Sequence, residues 1–232
     1  MKIGIIGAMA VEVEALKANM TDVKIEKIST IDYYLGSLNG VESVVCTAGV
    51  GKVNAAVSAQ TMILKFNPDI IINIGVAGGL SPELSVGDIA VATNVVEHDM
   101  DTSPLGDEVG FITGIDKVYM DCDERISKML YEVAKEIDGI KAIQGTIASG
   151  DQFICTNEQR ERIMSNFPTA VAAEMEGASI GHVCTMAQKP FAVLRAISDG
   201  ANSDSSMDFP TFTKMAAKNS IDIIMKLTKK LQ

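Results

Sequence analysis

The sequence predicts an α/β protein, a single domain over residues 1–232 with a mixed, mainly parallel sheet flanked by helices. Two observations predict it. Short apolar runs of strand length alternate with longer runs at helical spacing through the whole chain. No Pro/Ser-rich linker, low-complexity tract, fixed-period repeat or block of like charge divides the 232 residues, of which 47% are hydrophobic. A chain of this length can bury a sizeable core.

Residues 2 to 7 make a first apolar strand that turns at Gly7 into a helical pattern through Val11, Ala15 and Leu16, with Glu12 in its first turn. Residues 23 to 47 read as strands, and Asn39-Gly40 between Tyr34-Leu35 and Val44-Val45 signals a hairpin. Gly49-Val50-Gly51 opens a helix through Val53, Ala56, Met62, Ile63 and Phe66, which Pro68 stops. A buried strand, Asp69 to Ile74, precedes Gly75-Val76-Ala77-Gly78-Gly79, and another, Ile89 to Val96, ends at Glu97-His98-Asp99. The irregular stretch through Pro104 and Gly114 reads as a long loop of the kind that serves function or an interface. Arg125 to Ile137 is amphipathic, Ala142 to Ala148 a strand, and Thr156 a cap for a helix from Glu158 to Phe167. Beyond Asp199 a small polar loop runs to Met207, and a last helix, roughly Phe209 to Leu231, ends in Lys229-Lys230, which suits its dipole.

With 30 acids against 20 bases, the formal charge of -10 repels phosphate backbones and anionic lipid and argues against nucleic acid or membrane as partners. The apolar start would make a leader of only about ten residues against the roughly 15 to 30 that secretion uses, so it is expected to be a strand. Cys46, Cys122, Cys155 and Cys184 form no C-x-x-C pair, and reduced thiols in a cytoplasmic protein are expected.

The chemistry concentrates between Val171 and Asp199, where apolar Val171-Ala172-Ala173 runs into Glu174-Met175-Glu176 and Phe191 to Leu194 runs into Arg195-Ala196-Ile197-Ser198-Asp199. Ligands of open parallel sheets bind beyond the carboxyl ends of strands, so these acids and this arginine describe a site. Glu174 suits either an ion pair within the fold or a place in that site. Other motifs fail. Gly49-Val50-Gly51-Lys52 lacks the spacing of a phosphate loop, no G-x-G-x-x-G occurs, and His98-Asp99-Met100-Asp101 has too few histidines behind it for a metal. Neither cofactor nor metal is expected.

One set of stretches is more specific: Ile3 to Met9 with Glu12, Asn73-Ile74-Gly75 with Ala77 to Leu80, Val86 to Ile89, His98-Asp99, Ser149-Gly150-Asp151-x-Phe153-Ile154, Glu174-Met175-Glu176 and Arg195 to Asp199. In this order they resemble the 5'-methylthioadenosine/S-adenosylhomocysteine nucleosidases of the nucleoside phosphorylase superfamily. The resemblance implies the three-layer nucleoside phosphorylase-like fold and hydrolysis of the bond between adenine and a 5'-thio-substituted ribose. It implies Asp199, held by Ser198, as the acid that protonates adenine at N7, and Glu12 as the base that activates water. That is the division of labour of inverting glycoside hydrolysis. It further implies Glu176 on the ribose hydroxyls, Met175 against the sugar, Arg195 placing water and orienting the carboxylates, Phe153 stacked on adenine and the Ile154 backbone at its edge. Met9, Val50 and Phe209 would wall the 5' substituent. A homodimer partner would complete the pocket through the loop after His98, with Leu105 at the matching position.

Val76 stands where better-known members of that family have serine, and Thr102 and Leu105 replace more apolar or aromatic residues, so the preferred 5' group stays open. A purine nucleoside phosphorylase needs bases near the phosphate, whereas the loop after the first strand offers Glu12 instead. A non-catalytic nucleoside-binding protein should have lost Glu12 or Asp199. An aminofutalosine or 5'-deoxyadenosine nucleosidase would share the adenine and ribose contacts.

Overall fold

The computed structural model describes residues 1–199 and 209–231; the stretch Ser203–Met207 and the side chain of Phe209 lie outside the described residues. Its strands are β1 (Lys2–Gly7), β2 (Thr21–Ile28), β3 (Ile31–Leu38), β4 (Val41–Thr47), β5 (Ile70–Gly79), β6 (Ile89–Glu97), β7 (Met120–Asp121), β8 (Ala142–Ser149), β9 (Ala170–Glu174) and β10 (Phe191–Asp199). Its helices are α1 (Ala10–Ala18), α2 (Lys52–Phe66), α3 (Glu124–Lys135), α4 (Asn157–Asn166), α5 (Gly177–Met186) and α6 (Phe209–Lys230). The long loop after β6 contains a single short 3-10 turn, Ser103–Leu105.

Side-chain alternation sets the layers. In β1, Ile6 faces one core while Ile3 and Ile5 face the other, and in β5 Ile71 opposes Ile70, Ile72 and Ile74 in the same way. The first core is closed by α2 and α5, through Ala59, Met62, Ala178 and Cys184. The second is closed by α1, α3 and α6, through Leu16, Leu130, Ile224 and Leu227. This is a sheet between two helical layers, as the sequence predicts. At the hairpin, Asn39 and Gly40 both take positive φ (48° and 80°), the conformation a two-residue turn of that type requires.

The sheet runs β10-β6-β8-β9-β5-β1-β4-β3-β2, parallel along β1–β4, β1–β5, β5–β10, β6–β8 and β8–β9. The sequence reading of a mixed, mainly parallel sheet does not specify one feature: β10 also pairs β5, so β5, β10, β6, β8 and β9 close on themselves. It also ends the β5 strand near Ile74, whereas β5 continues through Gly79. The glycines stay extended because β10 and β9 supply hydrogen-bonding partners on either side. The consequence is positional: Gly78 is in register with Asp199 on β10 and with Ala173 on β9, so the carboxyl ends of β9 and β10 meet at one place.

Candidate active site

Glu12 enters from the first turn of α1 and is 3% exposed. Its Oε2 accepts the Met9 N–H at 2.8 Å and its Oε1 the Val76 N–H at 3.1 Å, which binds the start of α1 to the middle of β5. Burial pushes its pKa up against the opposing pull of those N–H groups and of Arg195. The approach depends on glycine: a Cβ at Gly75 would fall 2.7 Å from Glu12 Oε1. Asp199 closes β10, 4% exposed, with Oδ1 accepting the Ser198 hydroxyl at 2.9 Å and Oδ2 standing 3.9 Å from Arg160 Nη2. Burial raises its pKa as well, with Ser198 and Arg160 acting the other way. A Cβ at Gly78 would fall 3.0 Å from its Oδ2.

Glu176 precedes α5 and points at the start of α2, where its Oε1 accepts the Gly51 N–H at 2.8 Å. Gly51 holds φ of +96° to present that group. The Gly49-Val50-Gly51 turn therefore binds a carboxylate of its own chain, while Lys52 reaches Asp99 at 2.7 Å and Glu97 at 3.0 Å. Desolvation, then the charge of Glu174, push the Glu176 pKa up to about 7. Glu174 differs. It accepts from Ser149, from the Glu176 and Gly177 N–H groups at 3.1 and 2.8 Å, and from both Nε and Nη2 of Arg195. Arg195, 1% exposed, also donates to Asn73, whose amide holds the Ile6 carbonyl at 2.9 Å.

These elements surround an open-mouthed cavity of about 180 Å³. Glu12, Asp199, Ser198, Glu176, Met175, Phe153, Ile154, Met9, Val50 and Val76 line it, as the sequence reading expects. Phe153 and Val50 sit at its mouth, 46% and 49% exposed. Arg195 does not line the cavity but lies behind it, and its hydrogen bonds among the described residues go to Glu174, Asn73 and the Leu194 carbonyl. Leu105 does not line the cavity either; it is 83% exposed on the loop after β6. Among the described residues no group of three or more His, Cys, Asp or Glu could hold a metal.

The phosphorylase superfamily model matches residues 2–229. A 5'-methylthioadenosine/S-adenosylhomocysteine nucleosidase from Shewanella loihica is 40% identical over 231 residues, and one from a Geobacillus species is 39% identical over 232, each alignment covering 100% of both chains. The chain belongs to this nucleosidase family. A solved nucleosidase from Colwellia psychrerythraea, in complex with adenine, matches with a TM-score of 0.94 at 35% identity, covering 100% of this chain and 96% of that one. The Neisseria meningitidis nucleosidase in complex with methylthio-immucillin-A also matches with a TM-score of 0.94, at 34% identity and 99% coverage of both.

Within this nucleosidase-family fold, sequence reasoning passes over Arg160, Gln152, Ala8 and Gly78. Gly78 left a signal, a glycine pair beside an apolar strand. Arg160 left only a cationic residue in a polar helix, indistinguishable by pattern from its solvated neighbours Arg162 and Glu161. Its burial beside Asp199 is a tertiary fact.

Proposed function

We propose that this chain, acting as one catalytic domain, hydrolyses the N-glycosidic bond of 5'-methylthioadenosine and S-adenosylhomocysteine, releasing adenine and the 5-thio-substituted ribose. The observation that carries the reading is a pair of buried carboxyls, Glu12 and Asp199, brought from opposite ends of the chain to one cavity and both held above the usual carboxylate range by burial. A protonated Asp199 donates to the departing purine, and Glu12 takes a proton from the attacking water. Proton transfers of this kind each contribute about 10² to 10⁴ in rate. Ser198 orients the acid. Glu176 takes the ribose hydroxyls, Met175 packs on the sugar, Phe153 stacks on adenine, and the Ile154 backbone reads its edge. Arg195 acts at one remove, fixing Glu174 and through it the backbone that leads to Glu176. The relatives' names and the ligands in their solved complexes support this assignment.

Hydrolysis is favoured over phosphorolysis because no Lys, Arg or His lines the cavity among the described residues, and Glu12 stands where a phosphate dianion would have to be held. We further propose a homodimer that works in the cytoplasm. Val53, Val57 and Leu64 on α2, Val50 and Phe153 at the mouth of the cavity, and Leu105 on the loop after β6 leave large apolar side chains exposed, as a shared interface would require. The four cysteines are free, which fits a reducing compartment.

The test is adenine release from methylthioadenosine by the purified protein with and without phosphate, the sugar product identified by mass. Free methylthioribose formed without phosphate is expected. A strict requirement for phosphate would make this a phosphorylase and remove the role given to Glu12.

A further inference from the structure

Behind Asp199, outside the cavity lining, stands a group that the scheme above leaves unused. Arg160 lies on α4, four residues beyond its Thr156 cap, and is 8% exposed. Its Nη2 stands 3.9 Å from Oδ2 of Asp199, while Ser198 occupies Oδ1. A guanidinium stays charged throughout the working pH range, and little solvent screens this one: side-chain exposures are 10% for Arg160 and 4% for Asp199. Among the described residues the ionisable groups that line the cavity with Asp199 are carboxylates, Glu12, Glu174 and Glu176, and Arg195 behind them is bonded to Glu174. Arg162, on the same helix, faces Asp101 instead.

We propose that Arg160 is a positioning residue for Asp199, steadying its carboxyl at the purine end of the cavity and receiving as an ion pair the negative charge left when its proton departs. The inference rests on Asp199 being the acid. In that step the Asp199 O–H bond breaks and a purine N–H bond forms, while the electron pair of the glycosidic C–N bond passes to the purine. Water bonds to the sugar carbon and gives its proton to Glu12. Arg160 keeps its protons throughout. Two influences on Asp199 then balance. Burial makes the carboxyl hold its proton, and Arg160 with Ser198 loosens that hold, which brings a buried acid nearer the strength at which it both keeps and releases a proton near neutrality.

The experiment is the pH dependence of kcat/KM for adenine release from methylthioadenosine in the wild type, Arg160→Gln and Arg160→Lys, with folding checked by circular dichroism and Asp199→Asn as control. Asp199 acts protonated, so activity falls as pH rises through its pKa. Loss of the cation raises that pKa, and the alkaline limb of Arg160→Gln should move upward by about one pH unit, with a lower plateau rate. Arg160→Lys retains charge without the planar reach and should fall between the two. If the Gln variant does not fold, the Lys variant carries the test alone. An unmoved alkaline limb in a folded variant makes Arg160 a structural residue and overturns the proposal. Near-normal turnover by Asp199→Asn would instead remove Asp199 as the acid, whatever the Arg160 variants show; an inactive Asp199→Asn with unmoved limbs defeats the Arg160 inference alone.

Discussion

Glu174 and Glu176 are two residues apart and almost equally buried, at 7% exposure each, yet their surroundings differ. Glu174 is saturated: Ser149, two backbone N–H groups and the guanidinium of Arg195 occupy its oxygens. Among the described residues Glu176 has one backbone N–H and no cation bonded to it, and its pKa is pushed up to about 7. Glu12 and Asp199 resemble Glu176 in that burial dominates and pushes their pKa up, although Asp199 also has Arg160 at 3.9 Å and Glu12 feels Arg195. A carboxylate whose oxygens are all occupied holds strands together, whereas one left short of partners beside a cavity is available to a ligand. Glu174 lines the cavity as well, but its oxygens are turned to partners within the fold.

That contrast can be broken most severely at the chemical carboxyls. Asp199→Asn and Glu12→Gln should each cut adenine release by about 10² to 10⁴ while leaving the circular dichroism spectrum unchanged; substantial turnover by either would put the division of roles in doubt. Glu174→Ala should act on the opposite property. It strands Arg195 as a buried unpaired cation, so stability should fall by about 3–5 kcal/mol, seen as a lower urea midpoint, and a wild-type midpoint would show that the network is dispensable.

Gly75→Ala sharpens the comparison without changing any charge. The added methyl lies within 2.7 Å of Glu12 Oε1 and must displace it. Turnover should drop by up to about 10²-fold with the melting temperature little altered, and unchanged turnover would mean that Glu12 tolerates the shift.

The smallest effect concerns Glu176→Gln and pH. A carboxyl whose folded pKa is raised contributes favourably to stability below its unfolded pKa, and that contribution is lost as pH rises from about 4.5 through about 7. Glutamine carries no such penalty. Its melting temperature should therefore exceed the wild type's at pH 8 and converge with it at pH 4; a constant offset across that range would assign the effect to packing instead.

Much of this was legible in the chain. Strand and helix order follow from the apolar periodicities, and the hairpin at Asn39-Gly40 follows from its turn chemistry. Glu174, Glu176 and Asp199 are visible because acids at the ends of apolar runs are conspicuous, whereas Glu12 enters through the resemblance. Arg195 is equally conspicuous, but the sequence cannot say on which side of a strand end a long side chain finds its partner. Its burial against Glu174 and Asn73 required three strands to be in place.

The sequence by itself determined the layered α/β architecture and the residue types available for proton transfer, because periodicity and glycine placement are local properties. Tertiary structure decided which carboxyls are satisfied and which are not, and that Arg160 faces Asp199. Those outcomes depend on the β5–β10 pairing and the closure of β5, β10, β6, β8 and β9. The pairing brings groups from residues 12, 78, 160, 174 and 199 within reach of one another and removes the water that would otherwise equalise them.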